Sequence, residues 1–229
     1  MLHHLLELRR RGLQTLIWFA SLFFIFFFWS NDLYHLLVNP LLHSLSTQEG
    51  LIATQVTSPV FTPLKLAADT ALLLTAPFSL FQFWRFISPG LYQKEKTTLR
   101  IALIFSLVLF IGGVLFCFYL VLPFMFHFFA HALPKGVRFM PDMAIALDFI
   151  TRMLLIFGFC FQVPLICFVL VRLHLIDVST LKKIRPYVIV GAFIVGMLLT
   201  PPDVFSQIML AVPLCFLYET GIILAVYFK

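Results

Sequence analysis

Long, continuous runs of apolar residues restrict what this chain can fold into more than any other feature. Several runs in its 229 residues approach the roughly 20 residues that a helix needs to cross the hydrocarbon core of a bilayer. The runs lack the alternation of apolar and polar residues that is typical of membrane β-barrel strands. Because a helix satisfies its own backbone hydrogen bonds within lipid, we expect an all-α polytopic membrane protein.

Six transmembrane helices follow from the positions of these runs, and the last two look short. The fifth span holds about 13 residues and reaches only about 20 Å, less than the roughly 30 Å of the hydrocarbon core. The predicted spans are about 13–29, 66–84, 99–121, 145–171, 187–199 and 204–225, in a single integral membrane domain of residues 1–229.

Polar segments before and between these spans are predicted to lie outside the lipid. Residues 1–12 are expected to form a short amphipathic stretch on the membrane surface. Residues 86–96 and 172–185 are expected to form loops, with Pro186 opening the fifth span. The segment 31–65 has enough apolar residues to form interfacial helices.

Lys and Arg residues are distributed unequally between the two sides of this topology. Twelve of the 16 fall on one side and four on the other, so the positive-inside rule places both termini in the cytoplasm. The net charge of +6 comes from these residues beside membrane spans. Nucleic acid is therefore not an expected partner.

The four cysteines and seven histidines show no pattern of a catalytic or metal site. Each cysteine lies in an apolar run, where a buried thiol is expected and a disulfide is not. The histidines lack ligand spacing, and the sequence contains no Gly-rich phosphate loop or nucleophile elbow. We expect no enzymatic activity, no metal and no cofactor.

An ordered set of short motifs runs along this six-span scaffold. The set comprises Glu7-Leu8-Arg9, Ser58-Pro59, Phe61-Thr62-Pro63, Phe83-Trp84-Arg85-Phe86, Pro89-Gly90-Leu91, Glu95, Phe161-Gln162-Val163-Pro164, Arg185-Pro186-Tyr187, Thr200-Pro201-Pro202-Asp203, Ser206-Gln207, Pro213 and Tyr218-Glu219. Each motif is weak by itself, but the ordered set covers nearly the whole chain. In this respect the chain resembles the TatC family, a subunit of the twin-arginine protein translocase.

The resemblance implies a core subunit of that translocase in the bacterial inner (plasma) membrane. Such subunits are cytoplasmic-face receptors for twin-arginine signal peptides and move folded proteins across the membrane with the proton-motive force. The implied partners are TatA- and TatB-type single-span subunits, signal peptides and the lipid bilayer, with a homo-oligomer inside a TatB–TatC complex. The implied arrangement of the six helices is cupped and concave, without a closed channel.

Acidic residues on the cytoplasmic side are the candidates for binding the two signal arginines. Arginine stays protonated near neutral pH, and its guanidinium group forms paired hydrogen bonds with carboxylates. Glu7 and Glu95 stand out on a side that is otherwise basic. The predicted signal-binding set also includes Arg9, Phe86, Pro89 and Leu91.

Several members of this set have alternative roles. Phe86 and Leu91 would border a groove for the apolar stretch of the signal, but residues 86–96 also fit an ordinary solvated loop with basic topology anchors. Arg9 matches a position of the family motif, and it fits a topology anchor equally well.

Four further polar residues match family positions in or beside the last three spans. Gln162 stands where many family members have an acidic residue, so it can hydrogen-bond to a partner helix or clasp two helices of this chain, but it cannot titrate. Asp203 and Gln207 match the outer turn and the start of the sixth span, where Asp203 also fits a helix N-cap. Glu219 fits either a bond to a partner's polar side chain or a pair within the bundle.

A small-solute secondary transporter is the alternative function from a different class. Such proteins usually contain internal repeats with similar broken helices in both halves, whereas the prolines and short spans here cluster near the C-terminal end. Asp69, Asp148 and Arg152 belong to no family motif. The last two are four residues apart and can pair on one helix face, and a proton relay is the alternative role.

Overall fold

The structure is a computed structural model, and it describes residues 2–44, 51–54, 56–87, 93–131, 140–199 and 204–227. Nine α-helices and one π-helical turn account for nearly all of these residues. The elements are α1 (Leu2–Phe28), α2 (Ser30–Ser44), α3 (Ser58–Ile87), α4 (Gln93–Phe116), the π-helical turn (Cys117–Val121), α5 (Leu122–His131), α6 (Met143–Cys160), α7 (Val163–Arg172), α8 (Val178–Leu199) and α9 (Val204–Tyr227). The all-α class predicted from the sequence is confirmed.

Five stretches within the described helices are long and apolar enough to cross a bilayer. These stretches are Leu6–Phe28, Val60–Phe83, Ala102–His131, Met143–Arg172 and Gln207–Tyr227. Helix α8 carries Lys182, Lys183 and Arg185 in its first half, and the predicted span 187–199 is its apolar remainder.

The amphipathic lead is not the separate surface element that we expected. Helix α1 runs without interruption from Leu2 to Phe28, so the lead and the first span form one rod. The Leu, Glu and Arg residues before the span are all strong helix formers, and the helix therefore continues through Gly12.

The predicted loop 86–96 is shorter than expected. Helix α3 continues to Ile87 and α4 begins at Gln93, while residues 88–92 lie outside the described chain. The sequence Gln-Lys-Glu-Lys at 93–96 has high helix propensity, and it extends the third span at its N-terminal end.

Pro186 lies inside α8 instead of opening a span. The helix already begins at Val178, and the carbonyl of Asp177 accepts hydrogen bonds from the N–H groups of Thr180 and Leu181 at 2.9 and 3.2 Å. A proline within a helix removes one backbone donor. The burial of Leu181, with 4% of its surface exposed, favours the extra turns before the proline.

The first of two compact units comprises Met1–Phe86 and Val114–Leu155. Helix α2, which lies in the segment predicted to contain interfacial helices, packs against α5. Trp18 of α1 stacks on Phe78 of α3 with 5.4 Å between ring centroids. The largest buried side chains of this unit are Leu66, Leu122, Met125, Ile150, Met153 and Leu154.

The second unit comprises Ile87–Gly113 and Ile156–Lys229. Helix α9 packs against both α7 and α8. Their shared core consists of Cys167, Val171, Leu181, Tyr218, Ile222 and Ala225. The hydroxyl of Tyr218 donates to the carbonyl of Leu181 at 2.8 Å, which fixes the first turn of α8 against α9.

Candidate functional site

Glu7 accepts a guanidinium group from within its own helix. Nε and Nη2 of Arg11 donate to Oε1 of Glu7 at 3.2 and 2.5 Å, one helical turn apart on α1. The side chains of Arg11 and Glu7 are only 15% and 27% exposed, so water screens this pair less than it screens a surface pair.

A second contact of Arg11 ties this pair to α3. Its Nη1 donates to the backbone carbonyl of Gln82 at 3.0 Å, and Nε2 of Gln82 donates to Oε1 of Gln14 at 3.2 Å. Arg11 therefore holds Glu7 near the C-terminal part of α3.

The other predicted signal-binding residues are described to different degrees. Arg9 is exposed on α1. Phe86 falls in the last turn of α3 and Glu95 in the first turn of α4, but the side chains of both are outside the described part. Pro89 and Leu91 lie outside the described residues altogether. The two glutamates belong to different units, so their joint action stays a prediction.

Gln162 forms a buried clasp with Ser106 of α4. It stands in the turn between α6 and α7 and is 3% exposed. Its Oε1 accepts from the hydroxyl of Ser106 at 2.7 Å, and its Nε2 donates to the carbonyl of Ser106 at 3.0 Å. Both ends of the amide are used inside this chain, which confirms the clasp between helices as a role of Gln162.

Glu219 pairs within the bundle, which was one of its two predicted roles. Its Oε2 lies 2.7 Å from Nη2 of Arg185, so α8 and α9 are joined by an ion pair. A cavity of about 330 Å³ lies beside this pair. Its lining includes Arg185, Phe193, Val212, Phe216 and Glu219.

Gln207 joins the same two helices farther along. Its Nε2 donates to the backbone carbonyl of Phe193 at 2.9 Å. A Cβ atom on Gly196 would come within 3.2 Å of the Gln207 carbonyl oxygen, so the helices approach closely here. Asp203 lies outside the described residues.

A comparison with protein families identifies the family to which this chain belongs. The family model described as "Sec-independent protein translocase protein (TatC)" matches residues 3–213. The chain belongs to the TatC family.

Curated TatC proteins are similar to this chain over almost its full length. The Haemophilus influenzae protein is 42% identical over 229 residues, which cover 100% of this chain and 90% of that protein. The Escherichia coli protein is 42% identical over 222 residues, covering 97% of this chain and 86% of that protein. Both are called "Sec-independent protein translocase protein TatC".

Solved TatC structures have the same fold. A crystal structure of "Twin Arginine Translocase Receptor- TatC" aligns with a TM-score of 0.88 at 32% identity, covering 98% of each chain. A second one, obtained in DDM, aligns with a TM-score of 0.86 at 31% identity over 97% of this chain and 99% of the other.

These similarities confirm the predicted class and function. The chain is a multi-pass membrane protein and a core receptor component of the twin-arginine translocase. TatC is a translocase subunit and not an enzyme, as the sequence had indicated. In the part of the chain that the structure describes, no group of three or more His, Cys, Asp or Glu side chains could hold a metal ion.

Asp142 is a structural residue of this TatC chain that the sequence analysis missed. Its Oδ1 accepts from the N–H groups of Ala144 and Ile145 at 2.9 and 3.2 Å, so it caps α6. Its Oδ2 accepts from the hydroxyl and the N–H of Thr54 at 2.5 and 3.0 Å. The Thr54 side chain and then the backbone donors lower the pKa of Asp142 to about 2. An aspartate directly before an apolar helix is a recognisable N-cap signal, whereas its bond to Thr54 is not.

The predicted pairing of Asp148 with Arg152 is confirmed, but a closer cation was missed. Oδ2 of Asp148 is 4.0 Å from Nη2 of Arg152 and 2.5 Å from Nζ of Lys65. Lys65 lies 83 residues earlier on α3, so no local pattern could have revealed it.

Proposed function

We propose that this TatC chain captures the two arginines of a signal peptide on the cytoplasmic face through Glu7 and Glu95. The observation that carries the proposal is the contact between Glu7 and Arg11. Glu7 is a carboxylate on the side assigned to the cytoplasm, its side chain is only 27% exposed, and it already accepts hydrogen bonds from a guanidinium group. An arginine of a signal peptide would use the same kind of bond.

Glu95 would supply the second acceptor. It stands in the first turn of α4, on the side assigned to the cytoplasm. Two acceptors are needed because one exposed ion pair contributes only about 0–1 kcal/mol. Arg9, which is exposed on α1, would belong to the same binding surface as Glu7. Phe86, Pro89 and Leu91 would border the groove for the apolar stretch of the signal.

Both termini would lie in the cytoplasm in this arrangement. The support is the distribution of Lys and Arg, of which twelve out of 16 fall on the side of the termini. This orientation puts Glu7 and Glu95 in the same leaflet, which capture of two adjacent arginines requires.

The partners would be TatA- and TatB-type single-span subunits in a homo-oligomeric TatB–TatC complex driven by the proton-motive force. The cavity beside Arg185 and Glu219 supports a helix-docking role for α8 and α9, because it combines an apolar lining with one ion pair. Gln207, which contacts Phe193 in the lining of this cavity, would extend this surface. Asp203 lies outside the described residues, and its contribution stays a prediction from the sequence. Gln162 would act indirectly, by fixing α4 against the turn before α7.

Binding of a labelled signal peptide to membranes that contain this chain tests the receptor proposal. The twin-arginine peptide should bind at least tenfold more tightly than its twin-lysine variant, because ammonium groups cannot form the paired bonds. Glu7→Gln and Glu95→Gln should each remove most of this preference. The control is Asp177→Asn, since Asp177 is an exposed carboxylate in the turn before α8. Unchanged preference in the Glu7/Glu95 double variant would exclude these residues as the acceptors.

A further inference from the structure

Asp69 is a half-buried carboxylate in α3 that, among the described residues, forms no ion pair like that of its neighbour Asp148. Asp148 lies close to both Lys65 and Arg152, as described above. Asp69 accepts a hydrogen bond from the hydroxyl of Thr151 at 3.1 Å. Within the described part of the chain, no ion pair joins Asp69 to a Lys, Arg or His nitrogen within 4.0 Å. Lys65 and Arg152 act on Asp69 electrostatically, but both pair with Asp148. A carboxylate inside a membrane span is unfavourable without an ion pair of its own, so this position is suited to an additional positive charge.

Two cavities of the first unit meet at Asp69. A polar cavity of about 450 Å³ lies between the first turns of α3 and α6, and its lining includes Ser58 and Lys65. An apolar cavity of about 230 Å³ is lined by α2, α3, α6, the end of α4 and the π-helical turn, including Thr70 and Leu74. Asp69 lines both, so a ligand with an apolar stem and a charged head could occupy the second cavity and reach the carboxylate.

Each cavity also contains a buried hydroxyl group without a hydrogen-bond partner among the described residues. Ser58 is 3% exposed and lines the polar cavity, and Thr70 is 9% exposed and lines the apolar one. Buried hydroxyl groups are usually hydrogen-bonded. The Thr70 hydroxyl oxygen, next to Asp69 in the sequence, could accept a hydrogen bond from a charged nitrogen donor.

The size of the apolar cavity limits its occupant. It has room for about eight water-sized groups, which suits one long side chain, whereas an α-helix is about 10 Å wide. Lysine and arginine combine an apolar stem with a charged head. We propose that a lysine or arginine side chain of a separate membrane-spanning helix inserts here and places its charge against Asp69. That helix would rest on the exposed side chains at the rim, namely Leu36, Leu74, Leu115 and Tyr119.

Synthetic membrane-spanning helices provide a direct test. The full chain is reconstituted in phosphatidylcholine nanodiscs, and energy transfer measures its binding to labelled Leu/Ala peptides of about 24 residues. One peptide carries a lysine near one end, and the matched peptide carries norleucine at that position. The lysine peptide should bind about tenfold more tightly, since one charge-assisted hydrogen bond in lipid differs between the two peptides. Equal binding of the two peptides would overturn the proposal.

Substitutions show whether Asp69 is the acceptor. Asp69→Asn should abolish the preference for the lysine peptide, and a preference that persists in this variant would overturn the proposal. The matched control is Asp32→Asn, because Asp32 is an exposed carboxylate on α2 outside the lining of either cavity. Leu74→Trp offers a second route if Asp69→Asn does not fold, since Leu74 is 46% exposed and a larger side chain there would fill the apolar cavity. Undiminished lysine preference in Leu74→Trp would likewise overturn the proposal.

A lipid amine is the competing occupant, and the same assay separates the two. Replacing half of the phosphatidylcholine by phosphatidylethanolamine should leave the lysine preference in place if the site takes a protein side chain. Loss of the preference in these nanodiscs would assign the site to a lipid headgroup and overturn the proposal.

Discussion

Arg11 donates two N–H groups to a single oxygen of Glu7, one helical turn away on α1. The proposed receptor carboxylate is therefore already bound to an arginine of its own chain. The signal arginine must either share Glu7 with Arg11 or displace it, and each alternative predicts a different effect of removing Arg11.

We expect Arg11→Gln to strengthen binding of a twin-arginine peptide about fivefold. The substitution removes a positive charge that competes for Glu7, and a partly buried ion pair of this kind contributes about 1 kcal/mol. Peptide titration of the reconstituted protein measures the change. Arg10→Gln is the control, because it removes the same charge from an exposed neighbouring position. Weaker binding in Arg11→Gln would mean that Arg11 positions Glu7 and does not compete for it.

The clasp between Ser106 and Gln162 should contribute to stability as a unit. Gln162→Leu should lower the free energy of unfolding by about 1–2 kcal/mol, because it removes the two buried hydrogen bonds that the Gln162 amide makes with the hydroxyl and the carbonyl of Ser106. Thermal unfolding in detergent compares this variant with Ser106→Ala and with the double variant. The effects of the single variants should sum to more than the effect of the double variant. Strict additivity would show that the two side chains do not interact.

Two adjacent glycines of α4 should respond in opposite ways to alanine. A Cβ atom on Gly113 would lie 2.7 Å from the carbonyl oxygen of Phe157, whereas nothing lies within 4 Å of a Cβ atom on Gly112. Gly113→Ala should therefore destabilise the second unit by about 1–3 kcal/mol. Gly112→Ala should stabilise it by up to about 1 kcal/mol, since alanine has the higher helix propensity. The unfolding midpoints of both variants are measured side by side. A shift of both midpoints in the same direction would contradict the close approach of Gly113 to Phe157.

Acid should release the link between Asp142 and Thr54. The pKa of Asp142 is lowered to about 2 by the hydrogen bonds from Thr54, and the group has an ordinary value of about 3.9 when the chain is unfolded. Its stabilising effect is therefore complete above about pH 4 and is lost as the pH falls towards 2. Asp142→Asn should lower the unfolding temperature at pH 7 but have little effect near pH 2.

Thr54→Val tests the origin of this acid response. It should reproduce part of the loss at pH 7, because it removes the hydroxyl donor but keeps the backbone N–H donor of residue 54. It should add little in the Asp142→Asn background, where the carboxylate that this hydroxyl binds is already gone. An unfolding temperature of Asp142→Asn that stays below that of the parent by the same amount at pH 2 and pH 7 would contradict the assignment.

Much of the site could be assigned only as candidate positions before the structure was known. The sequence indicated that Gln162 cannot titrate and that Glu219 could pair internally, but their partners are 56 and 34 residues away. Helical spacing reveals partners three or four residues apart, such as Asp148 and Arg152, and no pattern of that range points from Asp148 to Lys65.

The ends of helices were predicted less well than their apolar centres for a related reason. The centre of a span is determined by the cost of placing polar groups in lipid, which the sequence displays directly. The end of a helix depends on whether its flanking residues make tertiary contacts. Leu181 makes such a contact, because its carbonyl accepts a hydrogen bond from the hydroxyl of Tyr218 on α9. This contact keeps α8 helical before Pro186, where hydropathy alone predicted a loop.

By itself, the sequence determined that this chain is an all-α membrane protein of the TatC family, because apolar run length and motif order are properties of the chain alone. Tertiary structure decided which polar side chains are already engaged, with Arg11 on Glu7, Ser106 on Gln162 and Arg185 on Glu219. It also showed that Asp69 accepts a hydrogen bond from Thr151 and, among the described residues, forms no ion pair of its own. The physical reason is that hydrogen bonds and ion pairs act over about 3 Å in space, and only the folded chain brings residues so far apart in sequence within that distance.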